Sequence, residues 1–185
     1  ITTASVCVGS TLQLYGTATA ATTNAWISAT PAKATINVST GLVTGVAAGT
    51  SVITYKNSNG CTKTVTVTVN SLPTVSLTSG GASITTASVC VGSTLQLYGT
   101  ATTATTTPWT TSAAAVATIN NTGLVTGVSA GTTTITYKNS NGCTKTVTVT
   151  VTTLATNGSM TTSICAGGSY TWPANGVTYT TAQTG

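Results

Sequence analysis

The chain has 185 residues, and its formal net charge of +5 comes from five lysines, because Asp, Glu and His are absent. General acid–base catalysis uses His, Asp or Glu most often, and calcium sites need carboxylate oxygens. Neither an enzyme nor a metal or cofactor site is therefore expected. Five dispersed lysines without a nucleic-acid motif do not predict nucleic-acid binding. No apolar run approaches the length of a membrane span, so none is expected in this segment.

Short segments with strand periodicity follow one another from the beginning of the chain. In STLQLYGT at 10–17, Leu12 and Leu14 alternate with polar residues, and in TVTVTV at 64–69 three valines alternate with threonines. This period of two places the apolar side chains on one face of a strand. Further strands are predicted between these two, at 25–28, 34–37, 41–46 and 50–55. Seven or so short strands separated by turn residues favour a β-sandwich, and no segment has a helical period.

Two long segments of the chain occur twice without a change. YKNSNGCTKTVTVTV fills 55–69 and 137–151, and ITTASVCVGSTLQLYGTAT fills 1–19 and 84–102. A period of about 82 residues is too long for a solenoid repeat and suits a small domain. The chain is therefore predicted to be all-β, with tandem sandwich domains arranged as beads on a string. The predicted domains are a first repeat that lacks its first strand (1–71), a second repeat (72–153), and the truncated start of a third, different β domain (154–185).

Each repeat contains one tryptophan, Trp26 in the first and Trp109 in the second. A tryptophan can serve as a platform for a ligand, but each of these two lies in a short predicted strand between two turns. The chain contains no Phe, and a domain of about 80 residues is marginal on hydrophobic burial alone, so its core needs these large side chains. Both tryptophans are therefore predicted to be core residues.

The segment KNSNGCTK, at 56–63 and again at 138–145, is a candidate contact loop at the tip of a hairpin. Loops on a sandwich often carry recognition, and Asn and Ser offer adaptable hydrogen bonds; a solvated turn without a partner is the simpler reading. The Asn59-Gly60 pair predicts a two-residue type I′ turn, in which both residues have positive φ. The candidate contact residues are Lys56, Asn57, Ser58, Asn59 and Lys63 in the first repeat, and Lys138, Asn139, Ser140, Asn141 and Lys145 in the second.

Four motifs of the first repeat resemble the bacterial immunoglobulin-like group 2 repeat. They are VGSTLQL, which is followed by a tryptophan, and then ATI, TGLVTGVAAGTSVITY and TVTVTV. GLVTGV at 41–46, followed by Ala-Gly-Thr, is the most specific part of the resemblance, which covers 1–153. The added cysteines resemble the variant in giant gliding-motility adhesins that Bacteroidetes export by type IX secretion. The resemblance implies immunoglobulin-like sandwiches at the bacterial cell surface. The tail resembles the start of another domain type common in the same proteins.

The five cysteines are Cys7, Cys61, Cys90, Cys143 and Cys165. No CxxC pair and no histidine are present, so a zinc site is not expected, and a disulfide framework suits an exported protein. If each repeat forms its own disulfide, Cys7 pairs with Cys61 and Cys90 pairs with Cys143. This pairing is favoured because a disulfide within one repeat needs no neighbouring repeat. Cys165 is expected to pair with a cysteine beyond residue 185.

The order of strands in a plain immunoglobulin-like sandwich leaves a second pairing open. Cys7 and Cys61 would fall at opposite ends of such a sandwich, whereas a disulfide needs Cα atoms within about 7 Å. The alternative is a link between repeats, from Cys7 to Cys143. Cys61 would then pair with a preceding repeat and Cys90 with the third domain.

Near-identical tandem domains suit a protein whose output is length, valency or a repeated surface. The first hypothesis is a structural stalk segment of a long bacterial cell-surface adhesin, which projects a binding element or gives multivalent adhesion. Its partners would be neighbouring repeats, other copies and an external substratum. The second is a self-assembling subunit of an extracellular filament or sheath, because Val–Thr edge strands with few charges can pair. The weakest is a carbohydrate-binding module, which would need an exposed aromatic strip.

Overall fold

The computed structural model describes residues 1–153, 169–171 and 178–180. Its elements over those residues are all β-strands, so the all-β prediction is confirmed. Residues 1–154 form one compact unit and residues 155–185 form a second. Within the described residues, a helix of the length and apolar character needed to cross a membrane is absent.

The first sandwich is built from seven strands in two sheets. Its strands are β1 (Thr3–Cys7), β2 (Thr11–Gln13), β3 (Trp26–Ser28), β4 (Ala34–Ile36), β5 (Leu42–Gly45), β6 (Gly49–Lys56) and β7 (Thr62–Asn70). One sheet has the order β1-β7-β6-β3 and the other the order β2-β5-β4. All pairs are antiparallel except β1 with β7, which run parallel. Strand β1 was not predicted, and its pairing covers the edge of the long strand β7.

The second sandwich repeats this arrangement and adds a short ribbon. Its strands are β8 (Val75–Ser76), β9 (Thr86–Cys90), β10 (Thr94–Gln96), β11 (Tyr98–Gly99), β12 (Trp109–Thr111), β13 (Ala117–Ile119), β14 (Leu124–Gly127), β15 (Gly131–Lys138) and β16 (Thr144–Thr152). Its sheets have the orders β12-β15-β16-β9 and β10-β14-β13, and β8 pairs with β11. In the part of the chain that the structure describes, the first sandwich has no equivalent of this ribbon.

Each sandwich has its own hydrophobic core between its two sheets. The alternating valines explain this directly, because Val67 and Val69 of β7 are buried while Thr68 between them is exposed. Trp26 and Trp109 are both buried, each with its ring centroid 4.6 Å from that of a tyrosine, Tyr55 or Tyr137. The tryptophans therefore lie in the cores and not on a ligand-binding surface.

The hairpin between β6 and β7 differs from the predicted two-residue turn. Asn57 pairs with Cys61, and a three-residue loop lies between them, in which the Gly60 N–H donates to the Asn57 carbonyl at 3.0 Å. Gly60 has a φ of 82°, whereas Asn59 does not have a positive φ. The type I′ prediction is therefore wrong: the Asn57 side chain accepts the Asn59 N–H at 3.1 Å and stabilises a longer loop with glycine in the left-handed region.

The predicted third domain at 154–185 falls largely outside the described residues. Within it, β17 (Ser169–Thr171) pairs antiparallel with β18 (Thr178–Thr180). The predicted boundary between the first and second repeats, at 71/72, lies in the segment between β7 and β8 and stays a prediction.

Candidate functional site

A disulfide joins the two sandwiches. It links Cys7 of the first sandwich to Cys143 of the second, with the two Cα atoms 5.7 Å apart. The pairing favoured from the sequence, Cys7 with Cys61 and Cys90 with Cys143, is wrong, and the Cys7–Cys143 link of the alternative pairing is present. The two half-cystines are 136 positions apart in the chain.

The length of β7 explains why the pairing within a repeat does not form. Cys7 ends β1 and lies opposite Asn70, the last residue of β7. Cys61 directly precedes Thr62, the first residue of that same strand. A strand of nine residues spans about 26 Å from its first to its last Cα atom, far beyond the reach of a disulfide. The same separation holds in the second sandwich between Cys90 and Cys143.

The half of the disulfide on the first sandwich is held by a tight turn, which we call the base turn (residues 7–10, and 90–93 in the second sandwich). The Val8 N–H donates to the Asn70 carbonyl at 3.0 Å, and the Ser10 N–H donates to the Cys7 carbonyl at 3.0 Å. Gly9 has a φ of 78°, which glycine adopts without strain. The sulfur of Cys7 is therefore presented from a hydrogen-bonded backbone at the end of two paired strands.

The other half is held by the hairpin tip (residues 139–143, and 57–61 in the first sandwich). The Asn139 side-chain oxygen accepts the Cys143 N–H at 2.9 Å and the Asn141 N–H at 3.1 Å. The Asn139 N–H donates to the Cys143 carbonyl at 3.0 Å. Asn139 and Cys143 are only 2% and 1% exposed. A buried asparagine with these bonds fixes the tip and leaves the polar groups paired, as a buried site requires.

The candidate contact residues have different surroundings in the two hairpin tips. In the first, Ser58, Asn59 and Lys63 are exposed, and Lys56 and Asn57 are half-buried. In the second, Ser140 and Asn141 are exposed, Lys138 and Lys145 are half-buried, and Asn139 is buried. The second tip lies against the base turn of the first sandwich through the disulfide. A contact role for the exposed tip residues stays a prediction.

Two further thiols are present in the described part of the chain. Cys61 is exposed and Cys90 is half-buried, and neither has a disulfide partner among the described residues. The Cys90 sulfur lies 3.8 Å from the Thr152 hydroxyl oxygen. Cys165 falls outside the described residues, so its expected pairing stays a prediction.

The chemistry available in this region is thiol and disulfide chemistry. Over the described residues, no group of three or more His, Cys, Asp or Glu side chains could hold a metal ion. The Lys33 ammonium donates to the Ala48 carbonyl at 2.8 Å, which is a structural contact within the first sandwich. What the arrangement can do is join sandwiches covalently and exchange disulfides.

The second sandwich is similar to a known domain family. Residues 76–151 match the family model of the bacterial Ig-like domain (group 2). This segment runs from β8 to β16, and the first sandwich has the same sheet orders without the β8–β11 ribbon. The immunoglobulin-like fold is therefore confirmed. The finer resemblance to gliding-motility adhesins of Bacteroidetes stays a prediction, and no curated protein matches the chain.

Several solved structures align with the chain. Domains 4 and 5 of the S-layer protein SbsC are 24% identical, over 75% of this chain and 74% of that one, with a TM-score of 0.29. A C-terminal fragment of intimin, in complex with the intimin-binding domain of its receptor, is 17% identical over 77% of this chain and 56% of that one, with a TM-score of 0.43. Drosophila N-cadherin EC1-3 is 12% identical over 82% and 64%, with a TM-score of 0.34.

Proposed function

We propose that this chain is a structural segment of a bacterial cell-surface protein, in which immunoglobulin-like sandwiches form a stiff stalk. The stalk projects a binding element from the cell or supplies repeated weak contacts, as in a gliding-motility adhesin. The observation that carries the proposal is the Cys7–Cys143 disulfide between consecutive sandwiches. Disulfides persist in oxidising, extracellular surroundings, which supports a location outside the cell.

The disulfide restricts the hinge between the sandwiches. Only residues 71–74 separate β7 from β8, and the Thr74 N–H donates to the Thr100 hydroxyl of the second sandwich at 2.8 Å. Domains joined by one linker move relative to each other by default. Two covalent connections, the short linker and the disulfide, oppose that motion and favour a stiff rod.

The disulfide also shields the residues between Cys7 and Cys143 from a pull along the chain, while β1 and β16 lie outside the closed loop. A force applied at the chain ends passes from Cys7 directly to Cys143, so the residues between them carry no tension. The closed loop covers 136 positions, which would extend by about 480 Å if the chain were pulled out fully. A stalk under load keeps its length because the disulfide prevents this extension.

Single-molecule force spectroscopy of the full chain tests this proposal, with handles at its two ends. The oxidised chain is expected to gain about 480 Å less contour length on unfolding than the Cys143→Ser variant. Cys61→Ser is the matched control and should behave as the unmodified chain, because Cys61 lies outside the disulfide. A chain kept under oxidising conditions that extended as far as Cys143→Ser, and in which peptide mapping found no Cys7–Cys143 bond, would contradict the proposed stalk.

A further inference from the structure

The two cysteines with free thiols in the described chain are the repeat equivalents of the two cysteines that form the observed disulfide. Cys61 occupies in the first sandwich the place that Cys143 has in the second, and Cys90 occupies the place of Cys7. The surrounding sequences are identical, since YKNSNGCTK contains both Cys61 and Cys143, and TASVCVGS contains both Cys7 and Cys90. The chain therefore contains one disulfide between the sandwiches and one unbonded equivalent of each of its two cysteines.

The hairpin tip around Cys61 already has the geometry of the bonded tip. The Cys61 N–H donates to the Asn57 side-chain oxygen at 2.9 Å, the same distance as between Cys143 and Asn139. The Asn57 N–H donates to the Cys61 carbonyl at 3.0 Å, again as in the second tip. A new disulfide at Cys61 would therefore need no rearrangement of the loop.

The base turn around Cys90 likewise matches the one around Cys7. The Val91 N–H donates to the Thr152 carbonyl at 2.8 Å, and the Ser93 N–H donates to the Cys90 carbonyl at 3.0 Å. Gly92 has a φ of 77°, compared with 78° for Gly9. Burial differs only between the tips: Cys61 is exposed and Cys143 is buried, whereas Cys7 and Cys90 are both half-buried.

Charge favours a tip meeting a base turn over two tips meeting. Lys56 and Lys63 flank the first tip, so two such tips face to face would bring four ammonium groups together with no acidic residue to offset them. The base turn, residues 90–93, carries no charged side chain. The formed link between Cys7 and Cys143 already joins a lysine-flanked tip to an uncharged base turn.

We propose that Cys61 of one copy and Cys90 of a second copy form a disulfide that joins copies of this chain head to tail. The contact repeats the interface already present between the two sandwiches, and it does not rest on the proposed stalk role. The two surfaces differ, and each lies at the end of its sandwich away from the Cys7–Cys143 link. Each copy therefore keeps one free cysteine after bonding, and the assembly extends as an open chain and not as a closed pair. Copies joined in this way would form a filament.

Bond formation needs an oxidant, and a small-molecule disulfide such as glutathione disulfide supplies it. The Cys61 thiolate attacks one glutathione sulfur and releases one glutathione thiolate. The Cys90 thiolate of the second copy then attacks the Cys61 sulfur of the mixed disulfide and releases the other. One protein disulfide forms, one glutathione disulfide is reduced to two thiols, and the two protons leaving the protein are taken up by the released thiolates.

Two complementary variants of the full chain test the proposal. One carries Cys61→Ser and Cys165→Ser and keeps the Cys90 half; the other carries Cys90→Ser and Cys165→Ser and keeps the Cys61 half. Each is treated with glutathione disulfide alone and after mixing, with one variant isotope-labelled. Non-reducing electrophoresis and mass spectrometry of linked peptides are the readouts. The Cys7–Cys143 peptide, present in every sample, shows that each variant has folded.

The mixture is expected to shift from monomer to a mixed dimer containing a Cys61–Cys90 peptide, while each variant alone stays monomeric. The Cys165→Ser chain, which keeps both halves, should give a ladder of head-to-tail multimers. Dimers linked through Cys61–Cys61 or Cys90–Cys90 at equal yield would overturn the proposal, because they would show random thiol oxidation. A mixture that stays monomeric with Cys7–Cys143 intact would overturn it as well.

Discussion

The two sandwiches share long identical segments, yet equivalent tyrosines lie in different surroundings. Tyr15 of the first sandwich is 83% exposed, whereas Tyr98 of the second is 39% exposed. Tyr137 is buried, while its equivalent Tyr55 is half-buried. The ribbon explains the difference, because β8 pairs with Tyr98–Gly99 and adds the fully buried Val75 to the second core. The burial of a residue is therefore decided by which strand lies beside it, even where the local sequence is the same.

The cysteines at the ends of the sandwiches also differ in their surroundings although their local sequences are identical. Cys143 and Cys61 have identical neighbours in sequence and equivalent hydrogen bonds, but Cys143 is bonded and buried while Cys61 is exposed. The first sandwich lies against one tip, and no described residue lies in that position at the other. The four predictions below each change one side of this comparison.

The largest effect is expected from removing the disulfide. The double change Cys7→Ser and Cys143→Ser opens a loop of 136 positions, which should lower the free energy of unfolding by about 4–5 kcal/mol on the chain-entropy account. Denaturation by urea, followed by tryptophan fluorescence, measures the loss. The control is Cys61→Ser with Cys90→Ser, which should leave the free energy of unfolding unchanged in monomeric protein. Equal stability of the two double variants would contradict the prediction.

Removing one side chain from β8 should weaken only the second sandwich. Val75→Ala deletes two methyl groups at a fully buried site and should cost about 2 kcal/mol in the unfolding of that sandwich. Leu72→Ala, at an exposed position in the same segment, is the matched control and should cost little. Hydrogen exchange of backbone amides, resolved by sandwich, is the measurement. Loss of protection spread equally over both sandwiches would show that β8 does not belong to one core alone.

The equivalent asparagines of the two hairpin tips should differ in their contribution. Asn139→Ala removes a buried acceptor of two backbone N–H groups and should cost about 2 kcal/mol, because the Cys143 N–H loses its partner away from water. Asn57→Ala removes the same bonds at a half-buried site and should cost about 1 kcal/mol, because water can replace them. Thermal unfolding of each variant measures the cost. A larger loss for Asn57→Ala would reverse the comparison.

The smallest effect is expected at alkaline pH. Burial raises the pKa of Tyr137, because the phenolate would be desolvated. The folded state therefore holds this proton more tightly than the unfolded state, so its contribution to stability is complete below about pH 10, the ordinary tyrosine pKa, and is lost as pH rises through the raised value.

Unfolding measured across this pH range, with and without Tyr137→Phe, tests the effect. The phenylalanine variant should lose less stability than the unmodified chain as pH rises. Both are made with Cys61, Cys90 and Cys165 replaced by Ser, so that no free thiol attacks the disulfide. Tyr15→Phe, at an exposed position, is the control for loss of a hydroxyl. Parallel curves for Tyr137→Phe and the unmodified chain would contradict the prediction.

Much of the fold could be predicted because its signals are local. The alternation in TVTVTV and STLQLYGT predicted β7 and β2, and the repeated words predicted a second sandwich built like the first. Strand β1 was missed because TASVC alternates weakly and its pairing with β7 is parallel and distant in sequence. The turn at Asn59-Gly60 was wrong because the Asn57 side chain, two residues earlier, stabilises a longer loop.

The sequence by itself determined the all-β class, the tandem repeat, the tryptophans suited to the cores and a set of cysteines outside any metal motif, because each of these follows from composition, period or spacing. Only the tertiary structure decided that Cys7 bonds Cys143, that Tyr137 is buried where Tyr55 is not, and that Cys61 and Cys90 are left as unbonded halves. Those outcomes depend on which ends of two sandwiches meet and which strand covers an edge. They join residues far apart in the chain, and identical local sequences can take different roles there.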